Sequence, residues 1–390
     1  SVEDILSVFG QYQYGKEERG LSTEYFSFIP ALEELGYEIV FFDSWNRTLY
    51  NDFIELNNAF INIVEIEKPD IIFTVQLGYE IWLETWDYIR ANNKCKTINW
   101  CTDDSWKYKE HSKFLAPHFD LMVTTYKEFL PEYKKLKSNA ILSTWGVPIQ
   151  WITSPKKSND CKYQVVFVGA AHGDRKEKIK KIEAEGIKVS CFGYGWDAGP
   201  IEDHEIPKIF NDSIISLNFA NSSGENQIKA RIFEVTGSGG FLLTEDAKGL
   251  SEVFNSNEII IFDDINNCIE KIKYYLGNLE VRDNIAFNGF NKTSGKYTYS
   301  NRFKEIFITV QAIEKNHVKN IDFEKIVDEH KNTFFLNFLK SILLKIGYLI
   351  YGKEKGKRFA RRVVYEFSWR VFGVDTYKSK GIVGRMFYNE

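Results

Sequence analysis

Two cations and one carboxylate stand at helical spacing in the segment Lys229–Glu245, K-A-R-I-F-E-V-T-G-S-G-G-F-L-L-T-E. Lys229 and Arg231 begin a predicted helix, and Glu234 follows one turn later. A helix start carries partial positive charge, so together with cations it binds phosphates well. The carboxylate can accept hydrogen bonds from ribose or sugar hydroxyls. The segment therefore predicts half of a nucleotide-sugar site, although a solvated surface helix ending at Gly237 would show the same pattern.

A glycine-containing turn of the kind that can bind phosphates, G-A-A-H-G-D-R, follows the predicted strand Tyr163–Val168. Its first residue, Gly169, allows the backbone to approach a ligand closely. His172 is a candidate ligand contact, and Arg175 opens the next helix, where it would either bind a diphosphate or be solvated. Together with the first segment, this turn gives the predicted donor-binding residues, which are Gly169, His172, Arg175, Lys229, Arg231, Glu234 and Gly239.

Carboxylates in two further segments are candidates for acid–base catalysis. In N-W-C-T-D-D-S-W, Asp103 and Asp104 follow a predicted strand. A helix cap explains one of them, Asp104, which leaves Asp103 to hold a sugar hydroxyl or to act as a base. The polar loop Gly10–Gly20 follows the first strand, and such loops often contact ligands. Glu17 in this loop is the second catalytic candidate, and a plain loop charge would explain it equally well.

Metal and cofactor sites are not indicated. The sequence contains no D-x-D, so we expect cations and a helix start, rather than a divalent metal, to hold a diphosphate. Five cysteines without a C-x-x-C indicate neither a zinc site nor a disulfide framework, and they fit a reducing cytoplasm. The segment G-Y-G-W-D-A-G imitates a dinucleotide fingerprint, but Ala198 stands where the third glycine belongs. We therefore expect no bound cofactor, and a ligand-lining loop in that segment.

The apolar pattern alternates between strand and helix up to residue 305. Short apolar strands separated by helices of three to four turns imply βαβ units and parallel sheets. The segment Trp145–Asp160 is rich in Pro, Ser, Lys and Asn, which predicts a linker. The predicted fold is α/β, with two Rossmann-like parallel-sheet domains, 1–150 and 160–305, facing each other across a cleft. A helical, basic extension at 306–390 follows them.

Charge is distributed unevenly along the 390 residues. Residues 331–390 carry 13 Lys and Arg and four acids, so they hold a charge of +9 in a chain whose net charge is -4. Within them, Phe334–Ile350 has the pattern of a helix with a wide apolar face. A basic amphipathic tail favours an anionic membrane surface over nucleic acid as its partner. We expect a cytoplasmic protein, peripheral on the inner face of the cell membrane; packing of this helix on the protein itself is the alternative.

Several segments carry a resemblance to a known family: residues 35–43, 98–104, 165–175, 189–196, 213–218, 229–245 and 249–254, among them V-V-F-V-G-A-A-H-G-D-R and G-L-S-E-V-F. They resemble the CgeB-like (spore-maturation-type) bacterial glycosyltransferases, which have a GT-B fold similar to that of group 1 glycosyltransferases. The resemblance covers residues 4–305, is strongest in the second half and excludes the basic tail.

The resemblance implies roles for particular positions. Glu234 takes the place of the later of two glutamates, eight residues apart, that serve group 1 enzymes, and it would bind the donor ribose. The earlier position falls on Asn226, with Glu225 beside it, so the contact to the donor sugar and the anomeric outcome stay open. A GT-B fold further implies that the donor binds to the second domain and the acceptor to the first.

The function expected from these patterns is metal-independent transfer of a hexosyl or related sugar from a nucleotide diphosphate to a glycan acceptor. Bacterial surface polysaccharide assembly is the expected setting, and the basic tail adds the option of a lipid-linked acceptor. Two alternatives stay open at this point. One is a nucleotide-sugar epimerase of the same fold, and the other is a non-catalytic glycan-binding or coat-assembly protein.

Overall fold

The computed structural model describes residues 3–219, 226–315, 318–331 and 333–388, which divide into two compact units. The first unit comprises residues 1–143 and 304–390, and the second comprises residues 144–303. Each unit contains one parallel β-sheet with helices, so the predicted α/β class with two Rossmann-like sheets is confirmed.

Six parallel strands form the sheet of the first unit: β1 Asp4–Phe9, β2 Glu38–Asp43, β3 Ile71–Thr74, β4 Lys96–Cys101, β5 Leu121–Thr124 and β6 Ala140–Leu142. They lie in the order β2-β1-β3-β4-β5-β6. The helices between them are α1 Thr23–Glu34, α2 Phe53–Glu67, α3 Leu83–Asn92, α4 Asp104–Lys107, α5 Lys113–Leu115 and α6 Leu130–Lys135. The edge strand β6 leaves no clear signal in the sequence, because its three side chains are partly exposed and show no buried run.

Five parallel strands form the sheet of the second unit: β7 Tyr163–Val168, β8 Val189–Phe192, β9 Ser213–Asn218, β10 Leu242–Glu245 and β11 Ile260–Phe262. Their order is β11-β10-β9-β7-β8, so β7 and β9 are neighbours. The helices of this unit are α7 Arg175–Ala184, α8 Ile206–Asn211, α9 Ala230–Gly237, α10 Leu250–Val253, α11 Ile265–Gly277 and α12 Leu279–Lys296. From β7 the chain leads to β8 on one side and to β9 on the other, and loops diverge at such a switch point.

Side-chain caps mark the start of several helices. The Oγ of Ser22 accepts a hydrogen bond from the Tyr25 backbone N–H at 3.0 Å where α1 begins. Asp52 caps α2 in the same way through the Glu55 N–H at 2.9 Å. Each cap satisfies a backbone donor that has no partner within the helix, which fixes the first turn.

The segment Trp145–Asp160, which the sequence predicts as a linker, is packed on the second unit. Val147 is fully buried, and its N–H donates to the Tyr297 carbonyl at 2.8 Å. A Cβ on Gly237 would lie 2.6 Å from the Val147 side chain, so glycine is needed there. Trp151 is buried as well. This polar segment is therefore irregular in secondary structure, and its contacts within the second unit hold it in place.

The predicted extension at 306–390 is helical and is packed on the first unit. Its helices, with the one leading into it, are α13 Tyr299–Gln311, α14 Phe323–Glu329, α15 Phe334–Tyr351, α16 Lys353–Phe372 and α17 Ile382–Met386. Residues from Lys304 onward belong to the first unit. Tyr377 is fully buried in its core, and the Ser379 N–H donates to Glu84 at 3.2 Å. Burial of these residues makes the tail an integral layer of the first unit.

Candidate functional site

The carboxyl-terminal edge of the second sheet brings together three loops, and two of them, after β7 and after β9, carry predicted donor-binding residues. Gly169 follows β7 directly, and α9 begins after the loop that follows β9. The Asn226 side-chain amide donates to the Asp246 carbonyl at 2.6 Å, and the Lys248 N–H donates to the Asn226 carbonyl at 3.0 Å. These bonds hold the segment before α9 beside the loop after β10. The loops surround the switch point, where open α/β sheets bind ligands.

Asn226 is engaged in holding this loop, although the resemblance placed it at a donor-sugar position. Its side-chain nitrogen donates one hydrogen bond to the Asp246 carbonyl, so part of its hydrogen-bonding capacity is used within the protein. The neighbouring Glu225 lies outside the residues that the structure describes. The contact to the donor sugar therefore stays open at this position.

The turn after β7 is packed tightly on the loop after β8. The Gly169 N–H donates to the Phe192 carbonyl, and the Trp196 Nε1–H donates to the Gly169 carbonyl, each at 2.8 Å. A Cβ on Gly193 would lie 2.5 Å from the Gly169 carbonyl oxygen, and its φ of +129° also favours glycine. The glycines of G-Y-G-W-D-A-G thus allow close backbone packing that shapes the turn at Gly169.

Arg175 links the loops on the two sides of the switch point. Its Nη1 donates to the Ala170 carbonyl at 2.9 Å, and its Nη2 donates to the Phe219 carbonyl at 3.0 Å. The side chain is buried, and its Cζ lies 5.3 Å from the centroid of the Phe167 ring. Burial lowers the pKa of the guanidinium, and the nearby charge of Glu245 opposes this shift. This geometry supports a positioning role, and direct contact of Arg175 with a diphosphate stays a prediction.

Lys229, Arg231 and Glu234 lie at the start of α9. Lys229 is the residue that precedes the first turn, with extended φ and ψ of -120° and 165°. The Nη1 of Arg231 lies 2.9 Å from the Glu234 Oε2, and the two side chains are 26% and 13% exposed. The Cζ of Arg231 also lies 5.2 Å from the Phe210 ring centroid. Because a guanidinium has five N–H donors, one carboxylate does not saturate it, and a phosphate can share it.

Lys178 and Glu245 form an ion pair at the same edge that sequence reasoning missed. The Lys178 Nζ lies 2.5 Å from Glu245 Oε1 and 3.2 Å from Asp174 Oδ2. Burial lowers the pKa of Lys178, but the hydrogen bond and charge of Glu245 outweigh it and raise the pKa overall. An available signal was the position of Glu245, which is the last residue of a buried strand and therefore lies at the ligand-binding edge.

Two predicted donor-binding residues remain, Gly239 and His172, and the structure places only His172 at the candidate site. Gly239 lies after α9 and before β10, at the opposite, amino-terminal edge, so the structure does not bring it to the candidate site. A Cβ on Gly239 would lie 2.6 Å from the Thr153 carbonyl oxygen, and the φ of Gly239 is +77°. Packing and backbone conformation therefore both favour glycine at this position. His172 is exposed in the turn after β7 and lies at the candidate site.

In the first unit, Asp103 and Asp104 follow β4 at the carboxyl-terminal edge of the sheet. Asp104 is buried, its Oδ2 accepts a hydrogen bond from the Tyr133 hydroxyl at 2.7 Å, and burial raises its pKa. The expected capping role of Asp104 is wrong, because Asp103 occupies the cap position and Asp104 is the first residue of α4. Asp103 is half-buried and stays the predicted base.

Glu17, the second predicted catalytic carboxylate, is exposed in the loop after β1. That loop is closed by a hydrogen bond from the Gln13 N–H to the Gly20 carbonyl at 3.0 Å. A different carboxylate, Glu24 in the first turn of α1, interacts with Asp103. Burial raises the pKa of Glu24, and the charge of Asp103 raises it further. Sequence reasoning overlooked Glu24, although its place in the first turn after β1 marked it for this edge.

Within the described part of the chain, no group of three or more His, Cys, Asp and Glu side chains could hold a metal ion. The charged groups at the candidate donor edge of the second sheet include three cations, which are Lys178, Lys229 and Arg231. Lys178 and Arg231 are each paired with a carboxylate there, so an anionic ligand would share these cations with Glu245 and Glu234.

Comparison with known proteins agrees with this fold. Residues 175–307 match a family model described as glycosyl transferase-like. The Anabaena protein HepE in complex with UDP is similar in structure, with a TM-score of 0.54 and 10% identity over 80% of this chain and 100% of HepE. Its complex with UDP-glucose gives a TM-score of 0.55 and 11% identity over the same shares. No curated protein sequence is significantly similar to this chain.

Two further solved structures are similar to this chain. Sucrose-phosphate synthase from Thermosynechococcus elongatus gives a TM-score of 0.56 and 10% identity, over 79% of this chain and 99% of that one. The match with TarM has a TM-score of 0.47 and 12% identity, and it covers 66% of this chain and 58% of TarM. The two Rossmann-like parallel sheets are those of the GT-B fold, as predicted.

Proposed function

We propose that this protein is a glycosyltransferase of the CgeB-like type, which moves a hexosyl or related sugar from a nucleotide diphosphate to a glycan hydroxyl. The observation that carries the proposal is the group Lys229, Arg231 and Glu234 at the start of α9. This group lies at the ligand-binding edge of the sheet and within the residues that match the glycosyl transferase-like family. The complexes of HepE with UDP and UDP-glucose support a nucleotide sugar as the ligand class.

The diphosphate would bind at the start of α9. The N–H groups of the first turn and the side chains of Lys229 and Arg231 supply donors and positive charge there. Charge develops on the departing diphosphate as the bond to the sugar breaks. Cations already in place stabilise that charge in the transition state more than in the bound donor, which accelerates transfer. Arg175 would act behind them by holding the loops after β7 and β9.

Replacing Glu234 with glutamine should reduce recognition of the donor ribose. The carboxylate would accept bonds from ribose hydroxyls, and hydrogen bonds to a charged group contribute about 1.5–3 kcal/mol. We expect the wild-type protein to bind UDP more tightly than 2′-deoxy-UDP, and Glu234→Gln to reduce this preference. Titration of both proteins with both nucleotides measures it. An unchanged preference in the variant, with UDP affinity retained, would remove Glu234 from the ribose site.

Asp103 is the proposed base for an acceptor hydroxyl bound on the first unit. It is half-buried at the carboxyl-terminal edge of the first sheet, and the charges of Glu24 and Lys107 act in its neighbourhood. A carboxylate in that position can take the proton of the attacking hydroxyl as the new bond forms. Glu17, on the exposed loop after β1, is kept as a second candidate.

Transfer should continue when divalent metals are removed. The proposed site holds the diphosphate with cations and helix N–H groups, and the sequence offers no D-x-D to bind a metal. We therefore expect the same rate of transfer with and without EDTA. The assay compares initial rates after dialysis against the chelator. Loss of activity that magnesium or manganese restores would contradict this part of the proposal.

Incubation with a panel of nucleotide sugars separates the proposed activity from its alternatives. Release of nucleoside diphosphate, slow alone and faster with a glycan or lipid-linked glycan acceptor from a bacterial surface polysaccharide, is expected of a transferase. An epimerase would instead change the sugar while it stays attached to the nucleotide, which NMR detects. A glycan-binding or coat-assembly protein would do neither, and that result would overturn the proposal.

A further inference from the structure

The helices α15 and α16 form a hairpin that is packed on one side only. They are joined at Gly352 and approach closely where Gly347 meets Gly356, because a Cβ on Gly347 would lie 2.5 Å from the Gly356 carbonyl oxygen. The inner side of α15 contributes Leu336 to a buried cluster with α16 and α17. Since this cluster also contacts Tyr79, the hairpin is fixed to the body of the first unit.

The outer side of α15 is an uninterrupted apolar stripe. Its members recur at intervals of three and four residues, which places them on one face of a helix. They are Phe335, Phe338, Ile342, Ile346 and Leu349, with exposures between 38% and 89%. Within the described residues, α15 is the single helix long and apolar enough to cross a membrane by length and composition, with a mean hydropathy of 1.4, and 11% of it is buried. An exposed apolar surface of this kind marks an interaction site.

Basic side chains surround the tip of the hairpin. Lys353, Lys355, Lys357 and Arg358 follow Gly352, with Glu354 as the one acid among residues 353–358. By contrast, cations nearer the body are paired internally: Arg362 lies 3.4 Å from Glu110, and Lys378 lies 2.8 Å from Asp375. In the part of the chain that the structure describes, the four tip cations have no carboxylate partner. The tip therefore attracts a negatively charged surface.

We propose that the outer stripe of α15 and the basic tip dock the protein onto an anionic lipid bilayer. The apolar side chains would enter the boundary between headgroups and acyl chains while the tip cations contact anionic headgroups, and the two contributions add. The helix would lie in the interface rather than cross the bilayer, because its inner side is packed against α16. That partner helix carries charged residues along its length, which the hydrocarbon excludes. This inference goes beyond the proposed activity and is independent of it.

Sedimentation with lipid vesicles tests the proposal on the full chain. We expect binding to vesicles of phosphatidylcholine with phosphatidylglycerol at low salt, and little binding to phosphatidylcholine alone. Each basic residue near the surface changes partitioning about five-fold, so the triple variant Lys353→Glu/Lys355→Glu/Lys357→Glu should lower it at least about 100-fold. The double variant Phe338→Glu/Leu349→Glu should also abolish binding at moderate salt, where headgroup attraction is screened.

Matched variants elsewhere in the chain control for charge and hydrophobicity. Lys180→Glu/Lys181→Glu/Lys188→Glu makes the same charge change on exposed lysines of the second unit, and Ile66→Glu/Phe287→Glu replaces two apolar residues that are 74% and 55% exposed. Both controls should bind vesicles like the wild type. The proposal is overturned if the wild type ignores anionic vesicles, or if the controls lose binding as the hairpin variants do. Concentration-dependent dimerisation that Leu349→Glu breaks, without vesicle binding, would assign the stripe to a second copy instead.

Discussion

Replacing Arg231 with alanine is expected to lower kcat/KM for the nucleotide-sugar donor by about 10²–10³, the usual effect of removing one donor that stabilises developing charge. The residue lies in the first turn of α9, where the diphosphate would leave, and its guanidinium is partly exposed. Its partner in the protein is Glu234, in an ion pair whose loss costs about 1 kcal/mol or less. The loss should therefore be one of catalysis and not of folding.

Kinetic measurements with two further variants sharpen this prediction. Arg231→Lys keeps the charge but loses the planar, bidentate donor geometry, so we expect an activity between those of the wild type and the alanine variant. Lys188→Ala removes an exposed cation just before β8, at the opposite edge of the same sheet, and should leave the rate unchanged. A normal rate for Arg231→Ala, or an equal loss in Lys188→Ala, would contradict the proposed role.

Replacing Arg175 with alanine should destabilise the second unit by about 2–5 kcal/mol, because two carbonyl groups lose their hydrogen-bond donors and a buried side chain is removed. These carbonyls belong to Ala170 and Phe219, in the loops on both sides of the switch point. The urea dependence of unfolding measures this change. Lys180→Ala, an exposed position on the same helix, should unfold like the wild type.

The same variant distinguishes two roles for Arg175. If it positions the loops, Arg175→Ala shows lower stability, and Arg175→Lys recovers part of it because one carbonyl can still be bonded. If it serves mainly as a diphosphate ligand, stability stays close to that of the wild type and only nucleotide affinity falls. We expect the first pattern, because both of its terminal guanidinium nitrogens already bond loop carbonyls.

The sequence predicts the sheets well because buried parallel strands leave a strong local signal. The run Tyr163–Val168 is a strand with the predicted bounds, and the apolar run at 241–244, which predicts a strand, corresponds to β10 Leu242–Glu245. Edge strand β6 lacks that signal because it is short and partly exposed. The packing of Trp145–Asp160 is also absent from the local sequence signal. Its polar composition does not reveal that Val147 and Trp151 are buried by residues distant in sequence.

For the candidate site, the sequence predicts where the residues lie on helices and strands but not which groups of the protein they contact. Lys229, Arg231 and Glu234 were placed at a helix start by spacing alone, and they lie there. What spacing does not contain is the set of tertiary contacts. The carbonyl groups bonded by Arg175, and the packing of Gly239 against Thr153, depend on how loops meet at each edge of the sheet. Only the fold therefore decides whether a glycine or an arginine of such a motif contacts a ligand or supports a loop.

Calorimetric titration of the full chain with UDP, GDP and ADP measures whether the edge at α9 binds a nucleoside diphosphate. We expect one of these nucleotides to bind. We also expect Arg231→Ala to weaken the binding by about 1.5–3 kcal/mol, as for a lost charged hydrogen bond, and Lys188→Ala to leave it unchanged. Absence of binding to all three nucleotides by the folded protein, or binding that Arg231→Ala leaves unchanged, would contradict the proposed donor site.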